Sequence, residues 1–172
     1  MPATPSVSIM RAGSEGVVLT DDPHVFQVID GCDLDDARWV ALRRLSAQLT
    51  DATSLYPFEV VEHDETLVVV TPYEATTAYA GGYGDGLVDL LADCVRHQVV
   101  CKNIHPDNLR VTSGGHVRLV DYGVDIVAFT DELFVSMCRR AWLTWRWWHH
   151  PQLKELIRRS IDNAGLPELD GH

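Results

Sequence analysis

Apolar and polar residues change their period several times along this chain, and the changes mark its elements. VVLT (17–20) and HVFQVI (24–29) are short strand-like runs separated by Thr-Asp-Asp-Pro, which is turn chemistry, so together they predict a hairpin after a loose start. From 33 to 49 the spacing becomes helical, with Ala37, Val40, Ala41, Leu45 and Leu49 near one face and acidic residues in the first turn, where the helix dipole favours them. FEVVEHDETLVVV (58–70) returns to strand twice around a turn at 62–65, and 67–70 is apolar enough to be central in a sheet. Residues 17–70 therefore read β-β-α-β-β.

TPYEATTAYAGGYGDG (71–86) then breaks the pattern as a Gly-rich connector. Leu87, Leu90, Leu91 and Cys94 predict a helix to about residue 97. A second hairpin joins 109–112 to 116–120 through Ser113-Gly114-Gly115. The remainder is helical. Val135, Cys138, Trp142, Trp145 and His149 share a face, Pro151 makes a break, and a further helix runs from 152 to about 163. Strands come first and helices later, which predicts an α+β fold, and 172 residues at 46% hydrophobic content suit one domain or two small lobes on a hinge.

Charge and composition narrow the function. The formal charge of −11 argues against nonspecific nucleic-acid binding, which needs clustered cations. Its distribution is uneven: residues 138–160 hold Arg139, Arg140, Arg146, Lys154, Arg158 and Arg159 against Glu155 alone, a local +5 that leaves −16 for the rest. No apolar run reaches the roughly 18 residues of a membrane span, and MPATPSVSIMRAG lacks the charged start and long apolar middle of a signal peptide, so a cytoplasmic protein is expected. Cys32, Cys94, Cys101 and Cys138 are widely spaced without a CxxC pair and read as free, mostly buried thiols. Gly81 to Gly86 follows a connector and matches no phosphate-loop spacing, so it reads as a linker before a helix; His149-His150 lacks metal-site spacing and reads as helix-end surface.

The chemistry concentrates in NIHPDNLRVTSGGHVRLVDYG (103–123). A hairpin brings the residue before its first strand and the residue after its second together at the open end, here Asn108 and Asp121, an amide carbonyl and a carboxylate. Both are hard oxygen donors of the kind magnesium takes beside substrate phosphates, although Asn and Asp at strand ends also serve as turn-makers.

Cys101-Lys102-Asn103-Ile104-His105-Pro106-Asp107-Asn108, the hairpin, and Asp121-Tyr122-Gly123 together resemble the catalytic and magnesium loops of the protein kinase-like superfamily, whose pattern is H-x-D-(L/I)-(K/H)-P-x-N, a hairpin, then D-F-G. That superfamily includes the eukaryotic-type kinases and small-molecule phosphotransferases such as the aminoglycoside and choline kinases. The resemblance implies a two-lobed fold, with a small β-rich lobe and hinge over 11–74 and a shortened helical lobe over 75–172, and it implies ATP and magnesium as cofactors. Asn108 and Asp121 would then be metal ligands. Gly13 and Gly16 would bracket an abbreviated glycine-rich loop over the phosphates, and Pro72 and Tyr73 would lie in the hinge that hydrogen-bonds adenine. Gln27 would occupy the strand position of the ATP-gripping lysine, and Arg38 that of the glutamate of the regulatory helix.

These substitutions change the chemistry. Asn103 stands where the resemblance implies a catalytic aspartate, and an amide has no comparable basicity. Asp107 is the candidate surrogate base, in a position that points away from substrate in the family. The expectation is a pseudokinase-type regulatory or binding module with weak nucleotide and magnesium binding and a protein partner. The alternatives are a divergent phosphotransferase acting on a protein or small-molecule hydroxyl, and a structural interaction subunit. In the tail, Trp142 and Trp145 are expected to pack on the core while Trp147, Trp148 and the arginines turn outward as a contact surface.

Overall fold

The computed structural model describes residues 8–13, 16–21, 23–30, 36–49, 54–63, 66–121, 125–147, 149–153, 155 and 157. The chain adopts the expected mixed α+β class, with antiparallel sheets and, among the described residues, three α-helices.

Strands β1 (Ser8–Gly13), β2 (Gly16–Thr20) and β3 (His24–Asp30) run up and down in sequence. Helix α1 (Asp36–Gln48) follows, then the hairpin of β4 (Glu59–His63) and β5 (Thr66–Pro72). The sheet order is β1-β2-β3-β5-β4, antiparallel throughout, so β5 is interior as its apolar run requires. Leu67 and Val69 of β5 point into the core on alternate positions, and Leu42 and Leu45 of α1, with Leu49 just past its end, meet the same core one turn apart. Val40, expected on the buried face of α1, is instead 65% exposed. Strand β1 extends the sheet beyond the two strands that alternation reveals.

Residues 54–58 tie this sheet to the rest. Leu55 bridges Leu119 in parallel, Leu119 donates its N–H to the Ser54 carbonyl at 3.1 Å, and Ser54 donates to the buried Asp93 carboxylate at 2.8 Å. Beyond them lie β6 (Thr76–Ala78), α2 (Gly84–Arg96), β7 (Val99–Cys101), β8 (Leu109–Thr112), β9 (Val117–Leu119), β10 (Ile126–Ala128) and α3 (Asp131–Arg146). They form a β6-β8-β9 sheet and a β7–β10 pair, both antiparallel.

The glycine run is a turn that delivers α2: Gly81, Gly82 and Tyr83 all take positive φ, and α2 starts at Gly84. Gly86, in its first turn, lies so close to β9 that a Cβ there would stand 2.6 Å from Cγ2 of Val117. One apolar cluster unites Leu45 and Leu67 with Leu90, Ile104, Leu119 and Met137.

Helix α3 begins at Thr130, whose hydroxyl accepts the Leu133 N–H at 3.2 Å, with Asp131 and Glu132 in the first turn and Arg146 in the last. Its orientation overturns the expectation for the tail. Met137, Arg140, Ala141 and Thr144 face inward, while Trp142 and Trp145 are 52% and 41% exposed. Trp147 packs against the core instead. After Pro151, residues 152, 153, 155 and 157 are helical and Ile157 is buried; the rest of the expected last helix lies outside the described residues, as do Cys32 and Trp148. No helix among the described residues is long and apolar enough to cross a membrane.

Candidate functional site

The site is built on the loop from Cys101 to Asn108, which leaves the end of β7 and enters β8 through a single 3-10 turn, Pro106–Asn108. Pro106 suits the first position of that turn because its fixed φ is already helical and no N–H is needed there. The backbone before it is held by α3. Cys101 donates its N–H to Sδ of Met137 at 3.2 Å, the Arg140 guanidinium donates to the Lys102 carbonyl, and the Thr144 hydroxyl donates to the Ile104 carbonyl at 3.2 Å. Lys102 donates its own N–H to the Asp125 carbonyl at 2.9 Å. Buried carbonyls are thus answered by buried donors, which is why a polar stripe faces inward on α3. Burial works against the charge of Arg140 and lowers its pKa, an effect opposed by Cys101 and Asp125. Its second guanidinium nitrogen donates to Ser136 Oγ at 2.8 Å.

Within the loop, Asn108 is buried; its N–H meets the His105 carbonyl at 2.9 Å and its side-chain amide donates to the Asn103 carbonyl at 3.5 Å. With the amide nitrogen given to Asn103, the side chain has its amide oxygen left as an acceptor. Asn103 itself is half-buried. The Asp107 side chain is 41% exposed, with Oδ2 3.4 Å from Nδ1 of His105. That ring nitrogen also accepts the Asp107 N–H at 3.2 Å.

Asp121 follows β9. The ladder pairs Leu109 with Leu119, and Val120 donates its N–H to the Asn108 carbonyl at 3.0 Å. Asn108 therefore stands opposite Val120, and Asp121 lies one residue further on than the hairpin geometry alone suggests. Gln27, in the middle of β3 between Val18 and Val69, donates its side-chain amide to Oδ1 of Asp121 at 2.7 Å. Two candidate residues 94 positions apart in the chain are thereby brought together.

Gly13 and Gly16 pair at the closing end of the β1–β2 hairpin, and Gly16 is two residues from Val18, the partner of Gln27. The hairpin tip, Ser14 and Glu15, lies outside the described residues, as do Tyr122 and Gly123. Pro72 closes the β3–β5 ladder opposite His24. It has no N–H, and Tyr73 gives its own to the Pro23 carbonyl at 3.0 Å. Glu74 accepts from the Tyr56 hydroxyl at 2.6 Å and meets Nε of Arg118 at 3.3 Å, while Arg118 lies over the Tyr56 ring at 4.8 Å. Burial first, and then the Glu74 bond and charge, push the Tyr56 hydroxyl above its ordinary 10.0.

Asn108 and Asp121 thus offer an amide oxygen and a carboxylate, a donor pair that fits magnesium completing its shell with water and phosphate oxygens. Among the described residues no group of three or more His, Cys, Asp or Glu side chains could hold a metal ion by itself. Sequence reasoning missed the supports: Met137, Arg140 and Thr144 beneath the loop, and Tyr56 and Arg118 against Glu74. The spacing of 137, 140 and 144 on a helix is the only sign of the first group. No protein-family model matches the chain, and no curated protein matches it.

Proposed function

We propose that the chain is a pseudokinase-type module: a two-lobed, kinase-like domain that holds a nucleotide weakly with magnesium and transfers phosphate poorly. The strand order β1-β2-β3-β5-β4, with α1 between β3 and β4 and then a helix, a loop and a hairpin, accords with the arrangement that the resemblance implies. The observation that carries the reading is the 2.7 Å hydrogen bond from Gln27 to Asp121. It joins the residue in the lysine position to the first residue of Asp121-Tyr122-Gly123, which supports the two sharing one site, with a neutral amide in place of a charge.

Each residue has a definite part in this reading. Magnesium, when bound, would neutralise phosphate charge, held by Asn108 Oδ1 and the Asp121 carboxylate. Gln27 orients Asp121 and adds no positive charge. Asn103 cannot take a proton from a hydroxyl, and loss of a general base costs on the order of 10²- to 10⁴-fold in rate. At the hinge, Pro72 has no N–H and that of Tyr73 is already engaged by Pro23, so little backbone donor capacity remains for a purine. Affinity then rests on the phosphates more than on the base.

Calorimetric titration of ATP and GTP, with and without magnesium, tests this. The expected result is weak binding that requires magnesium, is lost in Asp121→Ala and differs little between the two nucleotides. Tight, metal-independent binding would sink the reading. The second reading, a divergent phosphotransferase, has one observation in its favour: the Asp107 carboxylate is exposed on the turn that follows Asn103. Robust turnover abolished by Asp107→Ala would put that reading first.

A further inference from the structure

Along one side of α3, Val135, Arg139, Trp142 and Arg146 recur at spacings of four, three and four, which places them on one stripe. Val135, Arg139 and Trp142 are exposed, and Arg146 holds its guanidinium 5.6 Å from the centre of the Trp142 ring. Trp145 lies beside the stripe. Its indole rests against the start of α2, where a Cβ on Gly84 would stand 3.2 Å from Nε1, and one turn further along α2 Val88 is exposed as well. Two helices thus present a surface of two tryptophans and two valines, with a cation on either side of Trp142.

The charges are what make this surface specific. The chain has 25 acidic residues against 14 basic ones, and Arg43, Arg96 and Arg118 each meet a carboxylate. Among the described residues Arg139 and Arg146 meet none. A fold with an excess of carboxylates leaves these two arginines beside an exposed tryptophan, the composition that dominates the energetics of protein contacts.

We propose that this face of α3 and α2 docks an acidic, amphipathic segment of a partner protein, with its carboxylates on Arg139 and Arg146 and an apolar side chain covering Trp142 and Trp145. A second copy is disfavoured, because a two-fold contact through this face would set arginine against arginine. Nucleic acid and anionic membranes are disfavoured because two cations offer few phosphate contacts and the body at −11 repels an extended anionic surface. A short segment feels mainly the local charge, since screening removes the rest beyond about 8 Å at physiological salt. The face is separate from the Gln27–Asp121 site, so this proposal stands whether or not nucleotide binds.

The test is selection of a random peptide library displayed on phage against the folded chain, followed by affinity measurements with synthetic peptides of the enriched sequences. Enrichment of Asp and Glu flanking Leu, Phe or Trp is expected. Trp142→Ala and the double reversal Arg139→Glu, Arg146→Glu should each weaken binding by about tenfold or more, with the melting temperature and nucleotide titration unchanged. The same peptide with its acids replaced by lysine should regain affinity for the double reversal. Absent enrichment, enriched peptides without acidic excess, or indifference to the arginine reversals would overturn the proposal. So would a dimer in sedimentation that Trp142→Ala dissociates, or binding of single-stranded DNA or phosphatidylserine vesicles through the same residues.

Discussion

Gln27 gives Asp121 an N–H where a lysine would give a positive charge, and the two differ most when phosphates arrive. Charge-assisted hydrogen bonds are roughly twice as strong as neutral ones, so Gln27→Lys should raise magnesium–ATP affinity by about tenfold in a calorimetric titration. Phosphate transfer should stay near background even so, because Asn103 remains an amide; the double variant with Asn103→Asp is the one that could turn over. Several buried groups shape the response to alkali: Cys94, Cys101, Tyr56 and Tyr79 are all raised, first by burial. Burial first, and then the adjacent Asp93 carboxylate, push the Cys94 thiol from 9.0 up to about 12. The folded chain therefore keeps a proton that the unfolded chain gives up between those values. The stability that goes with it is complete below pH 9.0 and is lost as pH rises through that window. Melting temperature should decline above pH 9.0, and less steeply in Cys94→Ala, whose side chain cannot titrate. Equal slopes in the two proteins would show that Cys94 does not contribute to the decline.

Helix α3 serves the site through the face that its tryptophans do not use. Arg140→Met keeps a long side chain but leaves the carbonyl of half-buried Lys102 without its donor, and losing such a hydrogen bond costs about 1 kcal/mol. Thermal melts should show that loss, and hydrogen exchange should quicken at Cys101 and Lys102. Trp142→Ala, on the exposed side, should change stability by no more than about 0.5 kcal/mol. The long elements were legible because their periods are: alternation in the strands and the leucine spacing of α2 are direct readouts of burial. Three-residue strands such as β6, β7 and β10 are too short to have a period. The facing of α3 was hidden for a different reason. Trp142 and Trp145 lie outward while Arg140 and Thr144 lie inward beside Met137 and Leu143, and what draws the polar pair inward is a set of backbone carbonyls on another segment. Asn108 and Asp121 could be named from the hairpin, but their one-residue offset comes from where β9 ends, at Leu119.

Across the whole molecule, contacts fall into two kinds. The hairpins β1–β2, β2–β3 and β4–β5 join neighbours in sequence, whereas Gln27 reaches Asp121 over 94 residues and Ser54 reaches Asp93 over 39. This division is why the hairpins were legible and the β3–β5 pairing and the assembled site were not: a hairpin is written in adjacent residues, but a contact across the molecule depends on how every intervening element packs. It also has a kinetic consequence. Long loops are costly to close before other contacts reward them, so the five-stranded sheet should form early and the Gln27–Asp121 contact late. A late contact contributes to the unfolding barrier and little to the folding one. Gln27→Ala should then leave the refolding rate nearly unchanged and speed unfolding, so the same hydrogen bond that shapes the site also slows the escape from the native state.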